Sequence, residues 1–111
     1  MNRGNSAPVL ASVWAMKLAA CCCTSFDELL AFSLDHVRRS RTEPGCLSHA
    51  VSRDAENPLR LVFFEQWADL AALQAHFAVP ASRGFVKVLA AFAEVAPEMQ
   101  IYEAAPVGPP G

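Results

Sequence analysis

Four side chains in this 111-residue sequence have the chemistry of an acid–base site: Glu65, Trp67, His76 and His49. A carboxylate and an imidazole can exchange protons with a bound molecule, and an indole combines a flat apolar face with one N–H donor. Three of the four fall in the stretch Leu59 to Phe77, LRLVFFEQWADLAALQAHF. There Leu61, Phe63, Glu65 and Trp67 recur at period two, so Glu65 and Trp67 leave a strand on the same side. Leu70, Leu73, Gln74 and Phe77 then follow at helical spacing. The period changes at Asp69, a short carboxylate able to accept from an exposed amide of the first turn and so start a helix. His76 lies about two turns further on and about 60° from Leu73, at the edge of the predicted buried stripe. His49 shares a predicted strand face with Leu47 and Val51. It reads either as a core histidine with one satisfied nitrogen or as a second base. Glu65 reads also as a structural carboxylate, tied to a strand end or a dimer partner. His36 falls on the polar face of a helix and is expected to be solvated.

The elements that must position these groups can be read in order. Val9 to Leu18 alternates with apolar residues on both faces, which predicts a strand covered on both sides. Ser25 and Glu28 form a capping-box pattern ahead of a helix whose buried stripe is Phe26, Leu29, Leu30, Ser33, Leu34 and Val37. Pro44-Gly45 stops it. Cys46 to Asp54 is a second strand, and DAENP at 54–58 is a connection of hairpin length, so strands two and three are antiparallel neighbours. Pro80 breaks the second helix into two pieces, the latter burying Phe85, Val88, Leu89 and Phe92. Met99 to Ala104 supplies a last strand. This βαββαβ order predicts one α+β domain over residues 9–104, a ferredoxin-like sandwich with a four-stranded antiparallel sheet. Residues 1–8 and 105–111 are expected to be flexible termini. Two such sheets packed face to face would cover the second apolar face of strand one.

Composition narrows the function. A hydrophobic fraction of 53% is high for a chain of this size and predicts a covered surface, most simply in a two-fold homodimer. A net charge of −2 and a pI near 5.8 speak against nucleic acid, which needs a clustered basic face. The one basic cluster, Arg38, Arg39 and Arg41, reads as a solvated helix end. Cys21, Cys22 and Cys23 are adjacent, Cys46 stands apart, and no CxxC pair offers zinc-ligand spacing, so free thiols in a reducing cytoplasm and no metal are expected. Leu18-Ala19-Ala20-Cys21 has the look of a lipoprotein signal, but Lys17 interrupts the apolar run and the same residues are needed as a strand. The run is also too short to span a membrane.

Five short motifs in this order make the chain similar to the antibiotic biosynthesis monooxygenase family, a branch of the dimeric α/β-barrel superfamily. They are Glu43-Pro44-Gly45-Cys46-Leu47, Ser52-Arg53-Asp54, Phe64-Glu65-Gln66-Trp67, Ala75-His76-Phe77 and Arg83-Gly84-Phe85. The resemblance implies a dimeric α/β barrel and oxygenation of a small electron-rich aromatic, quinol- or anthrone-like, with O₂ and without cofactor or metal. Once deprotonated, such a substrate passes an electron directly to O₂, so the protein supplies a base, a donor for the developing oxyanion and a dry aromatic pocket. Trp67 matches the family's strand-three tryptophan and would stack on a planar substrate or simply pack the sheet end. His76 matches its helix-two histidine, as base or as a backbone-bonded surface residue. His49 stands where the family more often has an aromatic residue. Two family residues have no counterpart: strand one offers Ser12, Trp14 and Met16 in place of an asparagine, and Ala81 and Ser82 follow Pro80 where a histidine is common. Two alternatives stay open: a haem-binding or haem-degrading member with His76 as axial ligand, and a non-enzymatic dimeric module that binds a small apolar ligand.

Overall fold

The computed structural model describes residues 8–19 and 26–109. Strand β1 (Val9–Lys17) leads to helix α1 (Phe26–Ser40), then strands β2 (Cys46–Arg53) and β3 (Arg60–Trp67). Helices α2 (Leu70–Ala78) and α3 (Pro80–Phe92) follow, and β4 (Met99–Ala104) closes the chain. The strands form one antiparallel sheet in the order β2-β3-β1-β4, the ferredoxin-like arrangement that the sequence predicts. Residues 105–109 belong to no helix or strand. Cys21 to Cys23 and the Ser25 end of the capping box lie outside the described residues.

The period change at Asp69 is real. Its carboxylate accepts from the Ala72 amide at 2.8 Å, and α2 begins at the next residue. Pro80 opens α3 at a position where its missing N–H leaves nothing unpaired, so the helix comes in the two pieces that the sequence predicts. The hairpin at 54–58 is held by Arg60 and Asp54, which share a backbone bond and an ion pair of 2.7 Å. Helix α1 stops at Ser40, ahead of Pro44, and residues 41–45 make a turn that ends on Gly45 with φ +83°.

One sheet face carries the helices, and along it the chemistry changes. In one rung Met16 pairs with Leu61; in the next Trp14 pairs with Phe63 and Phe63 with Val51. These residues join Leu18, Leu29, Val37, Phe85 and Leu89 in the core, where Trp14 and Phe63 stack at 4.0 Å with planes 7° apart. In the following rung Ser12, Glu65 and His49 stand side by side, and all three are buried. An apolar core and a buried polar row thus share one surface.

Several expected faces turn out rotated. Leu47 is 56% exposed and not beside His49, because a β-bulge between Cys46 and Ser48 adds one residue to the strand and breaks its alternation. In α2 the buried pair is Leu73 and His76, while Leu70 and Phe77 are exposed. In α3 Val88 points outward and Ser82 inward. In α1 the stripe extends to His36 and Ser40, so His36 is not solvated but 6% exposed. In all three helices small or polar residues thus take inward positions: His36 and Ser40 in α1, His76 in α2 and Ser82 in α3.

Gly45 provides a test of how tightly the turn before β2 is fixed. A Cβ there would overlap the Cβ of Ala72 and sit on a left-handed backbone, whereas one at Gly84 in α3 meets nothing within 4 Å. Gly45→Ala is expected to destabilise by roughly 1–3 kcal/mol. Gly84→Ala is expected to stabilise by up to about 1 kcal/mol. Urea unfolding of the two variants should therefore move in opposite directions; a Gly45→Ala midpoint equal to the parent's would contradict the close approach of the turn to α2.

Candidate functional site

The polar row converges on Glu65. Its carboxylate is 1% exposed and accepts from two indoles: Trp14 Nε1 donates to Oε2 at 2.7 Å and Trp67 Nε1 to Oε1 at 2.9 Å. His49 Nε2 lies 3.3 Å from Oε1, and His76 Nε2 lies 3.8 Å from the same oxygen. Burial alone would push the Glu65 carboxyl up. The contact and charge of His49 and the two indole donors outweigh it and hold the group down to about 2. A buried charge is tolerated when donors surround it, and here the donors come from β1 and β3, with the His49 ring of β2 set against the same carboxylate.

His76 stands across from Glu65 on α2 and is 4% exposed. Its Nδ1 is 2.8 Å from Glu43 Oε1. A carboxylate only accepts, so Nδ1 carries a proton, and in the neutral ring Nε2 holds the lone pair. Glu43 is fixed in turn by Arg39, whose Nη1 donates to Oε2 at 3.0 Å. The imidazole therefore has one nitrogen oriented by a carboxylate and the other directed to the interior, the relation in which a histidine acts as a base or as a metal ligand.

His36 completes the group. Arg39 Nη2 donates to its Nδ1 at 2.7 Å, so the neutral ring carries its proton on Nε2. The ring stacks on Phe85 at 3.9 Å with planes 5° apart. Burial, reinforced by the nearby His49 and Arg39, pushes His36 down to about 3, so the ring stays neutral. The three imidazoles form a triangle with centroid separations of 5.3, 5.6 and 5.6 Å.

A cavity of about 320 Å³ opens onto this cluster. Trp14, His36, Glu65, His76, Ser82 and Met99 line its inner part, and its remaining lining comes from α2 and α3, including Arg83 and Lys87. That volume suits a small ring system, and such pockets are mostly apolar with a few placed polar groups. All four residues singled out from the sequence meet here: Trp67, His49 and His76 each lie beside Glu65. Trp67 takes the packing role that the sequence left open as one of two, and His49 fits neither of its readings as given. Trp67 is fully buried, donates its N–H to Glu65, and packs on His76 at 4.5 Å, so the indole that faces the cavity is Trp14. His49 has no hydrogen-bond partner at either ring nitrogen among the described residues, where a core histidine would satisfy one.

Glu43, Arg39, His36 and Trp14 are absent from the sequence-based site. Arg39, read as part of a solvated helix end, is half-buried and bonds to Glu43, His36 and Ser82. The available signal was spacing: His36, Arg39 and Glu43 stand three and four apart, at the end of α1 and in the turn that follows it.

The Glu65 network makes a claim on acid stability. With a folded value near 2 against an ordinary 4.5, the folded protein binds fewer protons than the unfolded chain between those limits. The stabilisation is present in full above pH 4.5 and is lost as pH falls toward 2. Glu65→Gln is expected to cost roughly 1–3 kcal/mol at neutral pH. Its stability should fall less steeply than the parent's between pH 4.5 and 2. A stability difference that stays constant over that range in urea unfolding would contradict the assignment.

The sequence profile of the family described as Antibiotic biosynthesis monooxygenase matches residues 25–88. The chain is 34% identical over 79 residues to sll1783, an uncharacterized protein of Synechocystis. The match takes in 71% of this chain and 54% of that protein, so the chain spans about half the length of the curated relative it matches. A crystal structure of an antibiotic biosynthesis monooxygenase superposes with a TM-score of 0.77 at 26% identity, covering 87% of this chain and 99% of the other. A variant of SnoaB, a cofactor-independent oxygenase from Streptomyces nogalater, superposes with a TM-score of 0.76 at 17% identity over 92% of this chain and 98% of its own. At that identity the likeness to SnoaB is one of fold. With more than half of its length matched by the family profile and all five motifs in place on the expected fold, the chain belongs to the antibiotic biosynthesis monooxygenase family.

Proposed function

We propose that the chain is a cofactor-independent monooxygenase that oxidises a small electron-rich aromatic, quinol- or anthrone-like, with O₂. The observation that carries this reading is the Glu43–His76 pair, which tethers Nδ1 and leaves Nε2 of a ring that lines a cavity of aromatic size to serve as base. Nε2 takes the substrate's acidic proton, and Glu43 steadies the imidazolium that forms. The resulting carbanion or phenolate gives one electron to O₂. Recombination of the radical pair forms a carbon–peroxide bond, the peroxide takes back the proton held on His76, and elimination of water breaks the O–O bond and removes the second hydrogen of that carbon, leaving a carbonyl.

The oxyanion donor expected from a strand-one asparagine has a substitute in this geometry. His36 carries its proton on Nε2, is held neutral, and lines the same cavity, so it donates to the substrate oxygen as charge develops there. Trp14 supplies the aromatic wall that the family resemblance assigns to Trp67. Glu65 fixes Trp14, Trp67 and the histidines in place. It takes no proton in this scheme, because its carboxyl is held far below neutrality.

The same reading includes a homodimer in a reducing cytoplasm. The helix-free sheet face presents Val13 and Phe64, paired across β1 and β3 and 40% and 41% exposed, beside Tyr102 on β4. A patch of this kind on a sheet is suited to a second sheet. Among the described residues no helix is long and apolar enough to cross a membrane, and Cys46 is a free thiol.

Oxygen consumption by metal-free protein given a panel of hydroquinones and anthrones, corrected for autoxidation, tests the chemistry. His76→Ala should lower the rate at least about tenfold, equivalent to about 1.4 kcal/mol of transition-state stabilisation, and Glu43→Gln by a smaller factor. Absence of uptake with the aromatics still bound would turn the reading toward a ligand carrier. Sedimentation should give a dimer for the parent and a monomer for Phe64→Glu; a parent that is monomeric at micromolar concentration would remove the dimer.

A further inference from the structure

His49 is the group that proton chemistry at His76 leaves unexplained. It is 1% exposed, belongs to the central polar row, and has no hydrogen-bond partner at Nδ1 or Nε2 among the described residues. Its Nε2 approaches Glu65 Oε1 to 3.3 Å without the alignment of a hydrogen bond. A buried imidazole with two bare nitrogens is costly unless something else binds it.

The surroundings have the form of a metal-binding shell. One nitrogen from each of His36, His49 and His76 lies within 4.8 Å of the others. Donor atoms sharing one first-row ion at bond lengths of about 2.1 Å stand roughly 3.0–3.4 Å apart. The His49 Nε2 to Glu65 Oε1 separation of 3.3 Å is already in that range, and His76 Nε2 at 3.8 Å needs a shift of a few tenths of an ångström. Imidazoles on one tetrahedral ion have ring centres roughly 5 Å apart, close to the observed triangle. The outer shell is also in place. His76 gives its other N–H to Glu43, and the two indoles hold the Glu65 carboxylate, as carboxylate-oriented metal ligands require.

We propose that His49, His76 and Glu65 form a binding site for a divalent first-row transition-metal ion of the Zn²⁺, Co²⁺ and Ni²⁺ class, with His36 as an auxiliary ligand. Two imidazoles and one carboxylate suit these ions, and the thioether and thiolate groups that would favour softer ones are not part of the set. His36 is auxiliary because its Nε2 carries a proton while Arg39 occupies its Nδ1. Coordination by that ring must displace one or the other. The inference rests on the donor geometry and not on the oxygenation reading. It has a consequence for that reading all the same: an ion on His76 Nε2 occupies the lone pair that serves as base, so the metal inhibits cofactor-free oxidation.

The test uses untagged, full-length protein stripped of metal and titrated with Co²⁺. The chain has three histidines, and all three are in this cluster, so the imidazole signals report on it alone. The expected result is one Co²⁺ per chain at micromolar or tighter affinity, with visible d–d bands. Paramagnetically shifted ring signals should appear from at least two histidines, and the melting temperature should rise with Co²⁺ concentration. His49→Gln and His76→Gln should each weaken uptake at least about tenfold and His36→Phe less. If a variant fails to fold, the wild-type ring signals decide. Absence of shifted imidazole signals, unchanged affinity in folded His49→Gln, or a thiolate-to-cobalt charge-transfer band as the only signature would each overturn the site. Oxygen uptake by the metal-free protein is measured separately, so failure of cobalt binding and failure of aromatic oxidation are told apart.

Discussion

A single buried carboxylate organises this protein. Glu65 sits in the middle strand of the β2-β3-β1 group, fully enclosed, and accepts from two indole N–H groups there, with the His49 ring against the same carboxylate. Leaving such a charge without donors would cost several kcal/mol. The positions of Trp14, Trp67, His49 and His76 are therefore tied to one another through it. The indoles satisfy Glu65, Glu65 limits where the imidazoles can lie, and the imidazoles set one wall of the cavity. A network of this kind specifies one arrangement because partial satisfaction is worse than none.

The sheet reconciles this charge with a small hydrophobic core by dividing one face lengthwise. Met16, Leu61, Phe63 and Trp14 serve the core, and one rung further Ser12, Glu65 and His49 serve the site. Trp14 belongs to both halves, stacking on Phe63 with its ring while donating to Glu65 with its nitrogen. Phe85 does the same from the helix layer, touching Phe63 on one side and stacking on His36 on the other. Stability and site geometry are thus not separable here: the side chains that seal the core are those that position the polar groups.

The turn between α1 and β2 decides how His76 is oriented. Gly45 lets the chain reverse against Ala72 of α2, and that places Glu43 within hydrogen-bonding distance of His76, thirty-three residues away in sequence. Arg39 then bridges Glu43, His36 and Ser82, joining the end of α1 to α3. The same contacts suit proton transfer and metal coordination, because each requires an imidazole with one nitrogen tethered and the other free.

The sequence by itself determined the elements. Period two through Trp67, period three-to-four after it, Asp69 at the junction and Pro80 within the helix are local signals, and local backbone preferences act on neighbours in the chain. It also determined which strand carries Glu65 and which helix carries His76, and five short motifs pointed to the family. What only the tertiary structure decided was which faces are inside and who pairs with whom. A bulge of one residue at Leu47 broke the expected face of β2. His36 lies inward, bonded to Arg39 and stacked on Phe85, a pairing that a polarity pattern along α1 cannot register. Trp67 was taken by Glu65, and Trp14, fifty-one residues before Glu65, became both its second donor and the cavity wall. Those pairings are set by strand register and by the need to surround one buried charge, and both are properties of the assembled sheet.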